Sequence, residues 1–382
     1  MNAKKIIVGV GLLAASAAWA IDMDLLEELV AIPSSSVDIP QVNRAMRAMK
    51  AYLEKRGLFC TIETNEKGNE LLFAATKPGK VQDYMVSCHL DVVPAAFEGH
   101  YALRNENGRL TGRGVYDDKG MVVAVVDALC RFAGTEASIG CIFGADEELG
   151  GFTTTWMVEE KGYRPRKMVI VVDAGYKKLF YAHKGQLMVN VAIRGRSGHS
   201  SRPWECDDSI TKLMEGYVRL RAEWDRRHPA TADHWSDVMT PTVVKSEGTA
   251  LNRIPALVEM NLNLRSVHPE AKDELLDLCK ATFAGAEVTV VRYSPPVASD
   301  PSDPYLKRFK AAMDATFGED VPLDRGLAAT DARCFVSCGV PMAVVGIEGG
   351  DAHGSTEWAT VAGIEKVAAY LTKFFEGEMK GR

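Results

Sequence analysis

The sequence holds eight cysteines but no CxxC pair and no zinc-finger spacing among them. That absence excludes thiolate-bound structural zinc and thioredoxin-type redox chemistry. Basic runs are missing too: 45 Lys and Arg against 51 Asp and Glu leave a formal net charge of −6, so neither nucleic acid nor an anionic membrane surface is an expected partner. No segment has low complexity and none repeats at a solenoid period, which excludes stacked-repeat architectures. Beyond residue 20 no apolar run is long enough to span a bilayer.

What is present is a globular composition, 47% hydrophobic and 25% charged, unlike that of disordered chains. At 382 residues, one large α/β domain or two domains are expected. Residues 1–20 differ from the rest. Lys4 and Lys5 precede IIVGVGLLAASAA, and the stretch closes on Ala18-Trp19-Ala20, a small-x-small pattern before Ile21. This has the form of a signal peptide, and the apolar stretch is shorter than the roughly 20 residues that an anchor needs. Export, to a periplasm or as a secreted protein, is expected, with the mature chain starting near Ile21. Cysteines such as Cys141 in SIGCIFG lie in apolar runs and are expected in the core. Export would permit disulfides without fixing which cysteines pair.

Along the chain, the helical patterns MDLLEELVAI and VNRAMRAMKAYLEKRG come first. The apolar runs YMVSCHLDVV, SIGCIFGA, KMVIVVDAG and VPMAVVGIEGG read as strands, and MVVAVVDALCRF and VAGIEKVAAYLTKFFE as helices. Such alternation predicts an α/β fold with a mostly parallel sheet covered on both faces. From about Gly185 to about Pro296 the pattern becomes strand, a helix beginning near Ser200, strand, a helix after Pro269, strand. That order suits a small α+β unit of split-βαβ, ferredoxin-like type. The expected organisation is a leader over 1–20, a larger domain made of 21–184 and 297–382, and an inserted domain over 185–296.

In an open α/β sheet, ligands gather at the carboxyl ends of strands. The charged clusters of this chain fall there. GADEELGG sets Asp146, Glu147 and Glu148 side by side after an apolar run, and His89 and Asp91 end YMVSCHLDVV with one residue between them. TGRGVYDDKG carries Asp117 and Asp118, Asp173 ends VIVVDAG, and His353 lies in GGDAHGSTEW. Each has an ordinary explanation: a structural HxD, an acid capping a helix, an Asx turn, a surface histidine. Five such sites at one edge of one sheet are poorly explained as separate accidents. Two histidines and several carboxylates are the donors that a pair of divalent ions such as zinc takes. Of the adjacent acids, one can ligate a metal while its neighbour moves protons.

HLDVVP, GRGVYDDKG, GADEELGG, VVDAG, RSGHSSRP, NRIP and AHGSTEW, in this order and spacing, resemble the dizinc amidohydrolases of peptidase family M20. These include aminoacylases, acetylornithine and succinyl-diaminopimelate deacylases, glutamate carboxypeptidases and dipeptidases. The resemblance implies a zinc-exopeptidase-like catalytic domain with an inserted lid that carries a homodimer surface. It further implies two zinc ions per chain, with cobalt or manganese as possible substitutes: His89 and Asp173 on one, Glu148 and His353 on the other, and Asp117 bridging. Asp91 would orient His89, and Glu147 would be the general base. The Asp117–Asp118 peptide bond is often cis in such proteins. His199 would reach the site of a partner subunit, and Asn252, Arg265 and Arg333 match positions that hold a substrate carboxylate. His183 stands where many relatives have glutamate, and Asn263 where an aspartate is frequent, which bears on substrate and not on metal.

The expected function is hydrolysis of an amide next to a free carboxylate. Small peptides are the first substrate class and N-acyl amino acids the alternative, an exported enzyme being poorly placed for arginine or lysine synthesis. A catalytically silent binder of metal or peptide is the remaining reading, and Glu147 argues against it, since a binder needs no general base.

Overall fold

The computed structural model describes residues 21–248 and 250–381; the expected leader lies outside the described residues. The apolar runs form the centre of a nine-stranded sheet. Four strands lie parallel and adjacent in the order β6 (Ile139–Gly144), β3 (Val81–His89), β7 (Arg164–Val172) and β17 (Met342–Val345). Every residue of β6 and β17 is buried, so these strands show no alternation of apolar and polar residues. The margins are mixed. β1 (Phe59–Thr64) and β2 (Glu70–Ala75) extend the sheet antiparallel beyond β6. β8 (Leu179–His183) and β15 (Val297–Ala298) continue it beyond β17, with β16 (Leu323–Gly326) parallel to β8.

Helices α1 (Met23–Ala31), α2 (Ile39–Glu54), α3 (Lys119–Cys130), α4 (Phe152–Glu159), α7 (Pro304–Phe317) and α8 (Val361–Lys380) join this sheet in one core. Side-chain caps set several starts: Asp22 accepts the Leu25 N–H at 3.0 Å, and Thr360 Oγ1 accepts the Gly363 N–H at 2.9 Å. α3 packs against α8, and Val122, Val126 and Leu371 of these helices lie in the shared core. All eight cysteines are free.

Between β8 and β15 the chain builds a second sheet, in the antiparallel order β11 (Val238–Ser246), β13 (Leu257–Ser266), β9 (Gly185–Arg194), β14 (Glu287–Ser294). Burial alternates along β13, with Val258, Met260, Leu262 and Leu264 inward. They share a separate core with α5 (Ser209–Arg227) and α6 (Ala271–Thr282), around Leu220 and Trp224.

Two sequence expectations for this stretch are corrected. The first helix begins at Ser209, not near Ser200, because Asp208 accepts the N–H groups of Ile210 and Thr211. Residues 198–199 instead form the short strand β10 (Gly198–His199), paired with β12 (Arg253–Ile254). β11 was not expected at all. It is an edge strand with seven of its nine residues exposed, so it lacks a period-two signal. Pro241, at a register shift in its pairing with β13, is tolerated on such an edge.

Entry and exit of this stretch are neighbours: His183 of β8 pairs in register with Val297 of β15. A last small antiparallel sheet runs β18 (Gly349–Gly350), β19 (Trp358–Thr360), β5 (Arg109–Thr111), β4 (Arg104–Glu106). Its pairing of Trp358 with Thr111 brings the loop bearing His353 against the segment leading to Asp117. Among the described residues no helix is long and apolar enough to cross a membrane.

Candidate metal centre

β3 ends at His89, whose ring is buried. Its Nδ1–H donates to the Asp91 carbonyl oxygen at 2.9 Å, which orients the ring so that Nε2, the nitrogen a metal would take, meets Asp117 Oδ1 at 3.1 Å. The Asp91 carboxylate lies 3.4 Å from Nδ1. It also accepts the backbone N–H groups of Glu147 and Glu148 at 3.1 and 3.3 Å, and the Ser36 hydroxyl at 2.6 Å. Asp91 thus ties the β3 end to the acidic turn after β6.

Two groups of ligand atoms result, each gathered within 4.8 Å: His89, Asp117 and Asp173 in one, Asp117, Glu148 and His353 in the other. Asp117 belongs to both, with Oδ2 3.2 Å from His353 Nε2, which also meets Glu148 Oε2 at 2.8 Å. The Asp117–Asp118 peptide bond is cis. Asp118 stands at the start of α3 but makes no capping bond; its carboxylate accepts the His89 N–H at 2.9 Å instead.

These residues fit divalent ions. The donors are imidazole nitrogens and carboxylate oxygens, and buried Glu148 Oε1 has no hydrogen-bond partner among the described residues. Burial, and then the charge of Asp117, push the carboxyls of Asp173 and Glu148 up to about 7. The bond to Asp117 pushes His353 up to about 9. Burial opposes ionisation of Asp117, but the bonds from His353 and His89 hold it below the usual range. An ionised Asp117 that raises two neighbouring carboxyls in this way marks a place where a cation is favoured.

Glu147 belongs to neither group. Its Oε1 lies 3.5 Å from Arg333 Nη1, and burial, then Asp331 and Asp173, push its carboxyl well above the usual range. Arg333 is buried and also meets Asp331 Oδ1 at 3.2 Å. Asp331, which further accepts the Thr154 hydroxyl at 2.9 Å, went unmarked in the sequence although TDARCF contains it. A Cβ on Gly151, where φ is 60°, would stand 2.1 Å from Asp331 Oδ1, so only glycine fits this turn. A pair unmarked in the sequence, Arg113 and Glu357, is buried with Nη1–Oε2 at 2.6 Å. Glu357 Oε1 accepts the N–H groups of Gly114, Tyr116 and Asp117 at 2.9 to 3.1 Å, shaping the backbone that presents Asp117. The acid in AHGSTEW was the available signal.

The structure leaves three expected residues away from these groups. His199 is exposed on β10, its Nδ1 2.9 Å from Ser201 Oγ. Asn252 is exposed beside it, its carbonyl oxygen accepting the Ser200 N–H at 2.9 Å. Arg265 is half-buried on β13, on the face opposite the α5 and α6 core.

The chain is 23% identical over 366 residues to a succinyl-diaminopimelate desuccinylase of Maricaulis maris, covering 88% of this chain and 91% of that one. It is 28% identical over 280 residues to an acetylornithine deacetylase of Proteus mirabilis, covering 69% and 71%. A tripeptidase of Staphylococcus aureus shares the fold at TM-score 0.77 and 16% identity, over 94% of this chain and 98% of that one. The model of peptidase family M20/M25/M40 matches residues 85–377. Because that match runs from within the His89 strand into the last helix and takes in every member of both ligand groups, the chain belongs to peptidase family M20/M25/M40.

Proposed function

We propose that the protein is a two-zinc amidohydrolase that removes the acyl group from N-acyl amino acids, cleaving an amide next to a free carboxylate. The metallohydrolase family is established by the match above. The deacylase reading is supported by sequence relatives that are themselves named for desuccinylation and deacetylation.

His89 and Asp173 would hold one ion and Glu148 and His353 the other, with Asp117 between them. Bound there, the ions supply Lewis acidity toward the scissile carbonyl and lower the pKa of a shared water. Glu147 takes the proton of the attacking water and returns it to the leaving nitrogen. The observation that carries this reading is the position of Glu147: one residue from a ligand yet outside both ligand groups, with its carboxyl raised by burial. Arg333, Arg265 and Asn252 would meet the substrate carboxylate.

A homodimer through the inserted unit is part of the proposal. It is supported by the open edge of β11 and by Ile210, Met214 and Val218, exposed at four-residue spacing along α5. There His199 of a second copy would steady the oxyanion. Small peptides are the second reading, favoured by the exported leader expected over residues 1–20.

A panel of N-acetyl and N-succinyl amino acids and dipeptides tests both. Turnover of the N-acyl compounds is expected, abolished by chelation and restored by zinc. Turnover of dipeptides alone would favour the second reading, and full activity in metal-free protein would defeat the metal assignment.

A further inference from the structure

The turn bearing Glu147 and Glu148 is held from two sides. From within, Asp91 accepts their backbone N–H groups. From without, Arg292 of β14 donates through Nη2 to the Leu149 carbonyl oxygen. Its guanidinium lies 6.0 Å from the centre of the Phe152 ring, at the start of α4. A Cβ on Gly150, where φ is 119°, would stand 3.2 Å from Arg292 Cζ, so the turn offers the arginine a bare backbone.

Two further features single out this contact. Pairing of β14 with β9 shifts register between Val290 and Arg292, and such an irregularity re-aims the side chain beside it. The receiving carbonyl ends a short 3-10 helix, Glu147–Leu149. Carbonyls at a helical C-terminus lack internal donors and carry partial negative charge, which a guanidinium complements. The contact joins the second sheet to the catalytic turn across more than a hundred residues of sequence.

We propose that Arg292 is a positioning residue for hydrolysis: through the Leu149 carbonyl it makes the placement of the Glu147 carboxylate depend on the seating of the inserted unit. This rests on Glu147 as general base. Phe152 supports the latch, since 58% of its surface remains exposed and its ring gives the guanidinium an apolar flank.

Arg292→Ala and Arg292→Lys test it in the full-length protein with two readouts, kinetics and amide exchange of residues 146–151. For Arg292→Ala, kcat should fall roughly 10- to 100-fold while KM moves less than about threefold, the pattern of a displaced reacting group. Metal content and thermal melting should match the parent protein. Exchange in the turn should quicken in zinc-loaded and in metal-free protein alike. Arg292→Lys, which keeps a cationic donor, should recover part of both losses. Unchanged exchange in the turn overturns the proposal whatever the kinetics do, and a fall in melting temperature shared by both variants reduces Arg292 to a structural contact. If the parent protein hydrolyses no amide, the functional reading fails, while the exchange comparison still decides whether Arg292 holds the turn.

Discussion

Glu147 and Glu148 are chemically identical neighbours, and the two roles proposed for them depend on which way a three-residue turn points each carboxylate. Glu148 Oε2 meets His353, whereas Glu147 Oε1 faces Arg333. Glu147→Gln should therefore retain metal but lower kcat by roughly 10²-fold or more, as loss of a general base does. Glu148→Gln should lose metal, measurable by elemental analysis after gel filtration. The reverse result would exchange the two assignments. The members of the ligand groups were legible because acids and histidines at the ends of apolar strands have little other reason to recur. Arg113 and Asp331 were not legible, and Glu357 only as an acid in AHGSTEW, since a buried charge and a surface charge look alike in sequence. Their meaning comes from partners far along the chain, as with Arg113 and Glu357, 244 positions apart.

Among elements, the inserted unit is tied together at Asp237, just before β11. Its carboxylate accepts the Val267 N–H and meets His268 Nδ1 at 2.7 Å and His228 Nδ1 at 3.1 Å, while His228 Nε2 meets Glu274 of α6 at 3.1 Å. The bond to Asp237, aided by Glu270, raises the His268 pKa. A raised folded pKa gives stability that is present below the unfolded value of about 6.5 and lost as pH rises through the folded value. Thermal melts of His268→Gln should thus show a deficit at pH 6 that fades as pH rises through the folded value, worth no more than about 1 kcal/mol because the side chain is largely exposed. A deficit independent of pH would mean that the ring acts by packing alone. Central strands were readable here because burial on both faces demands continuous apolar residues. β11 was not, because an exposed edge imposes no such demand.

For the whole molecule, a chain whose His199 stands exposed and outside its own ligand groups invites a test by mixing. In the proposed dimer, Glu147→Ala and His199→Ala chains, each nearly inactive alone, should rescue one another when refolded together. With random pairing about half the dimers are mixed, and about a quarter of all sites would be whole. No recovery in confirmed mixed dimers would confine His199 to its own subunit or remove it from catalysis.

The pairing of His183 with Val297 has a consequence for how such a chain could have been assembled. Where the second sheet departs and returns, the host strands are already hydrogen-bonded neighbours, so omitting everything between them would leave two ends that a short hairpin turn could join. The central sheet needs no rearrangement to accept or lose the guest, which is the topology that a single insertion event into an older, uninterrupted hydrolase would leave behind.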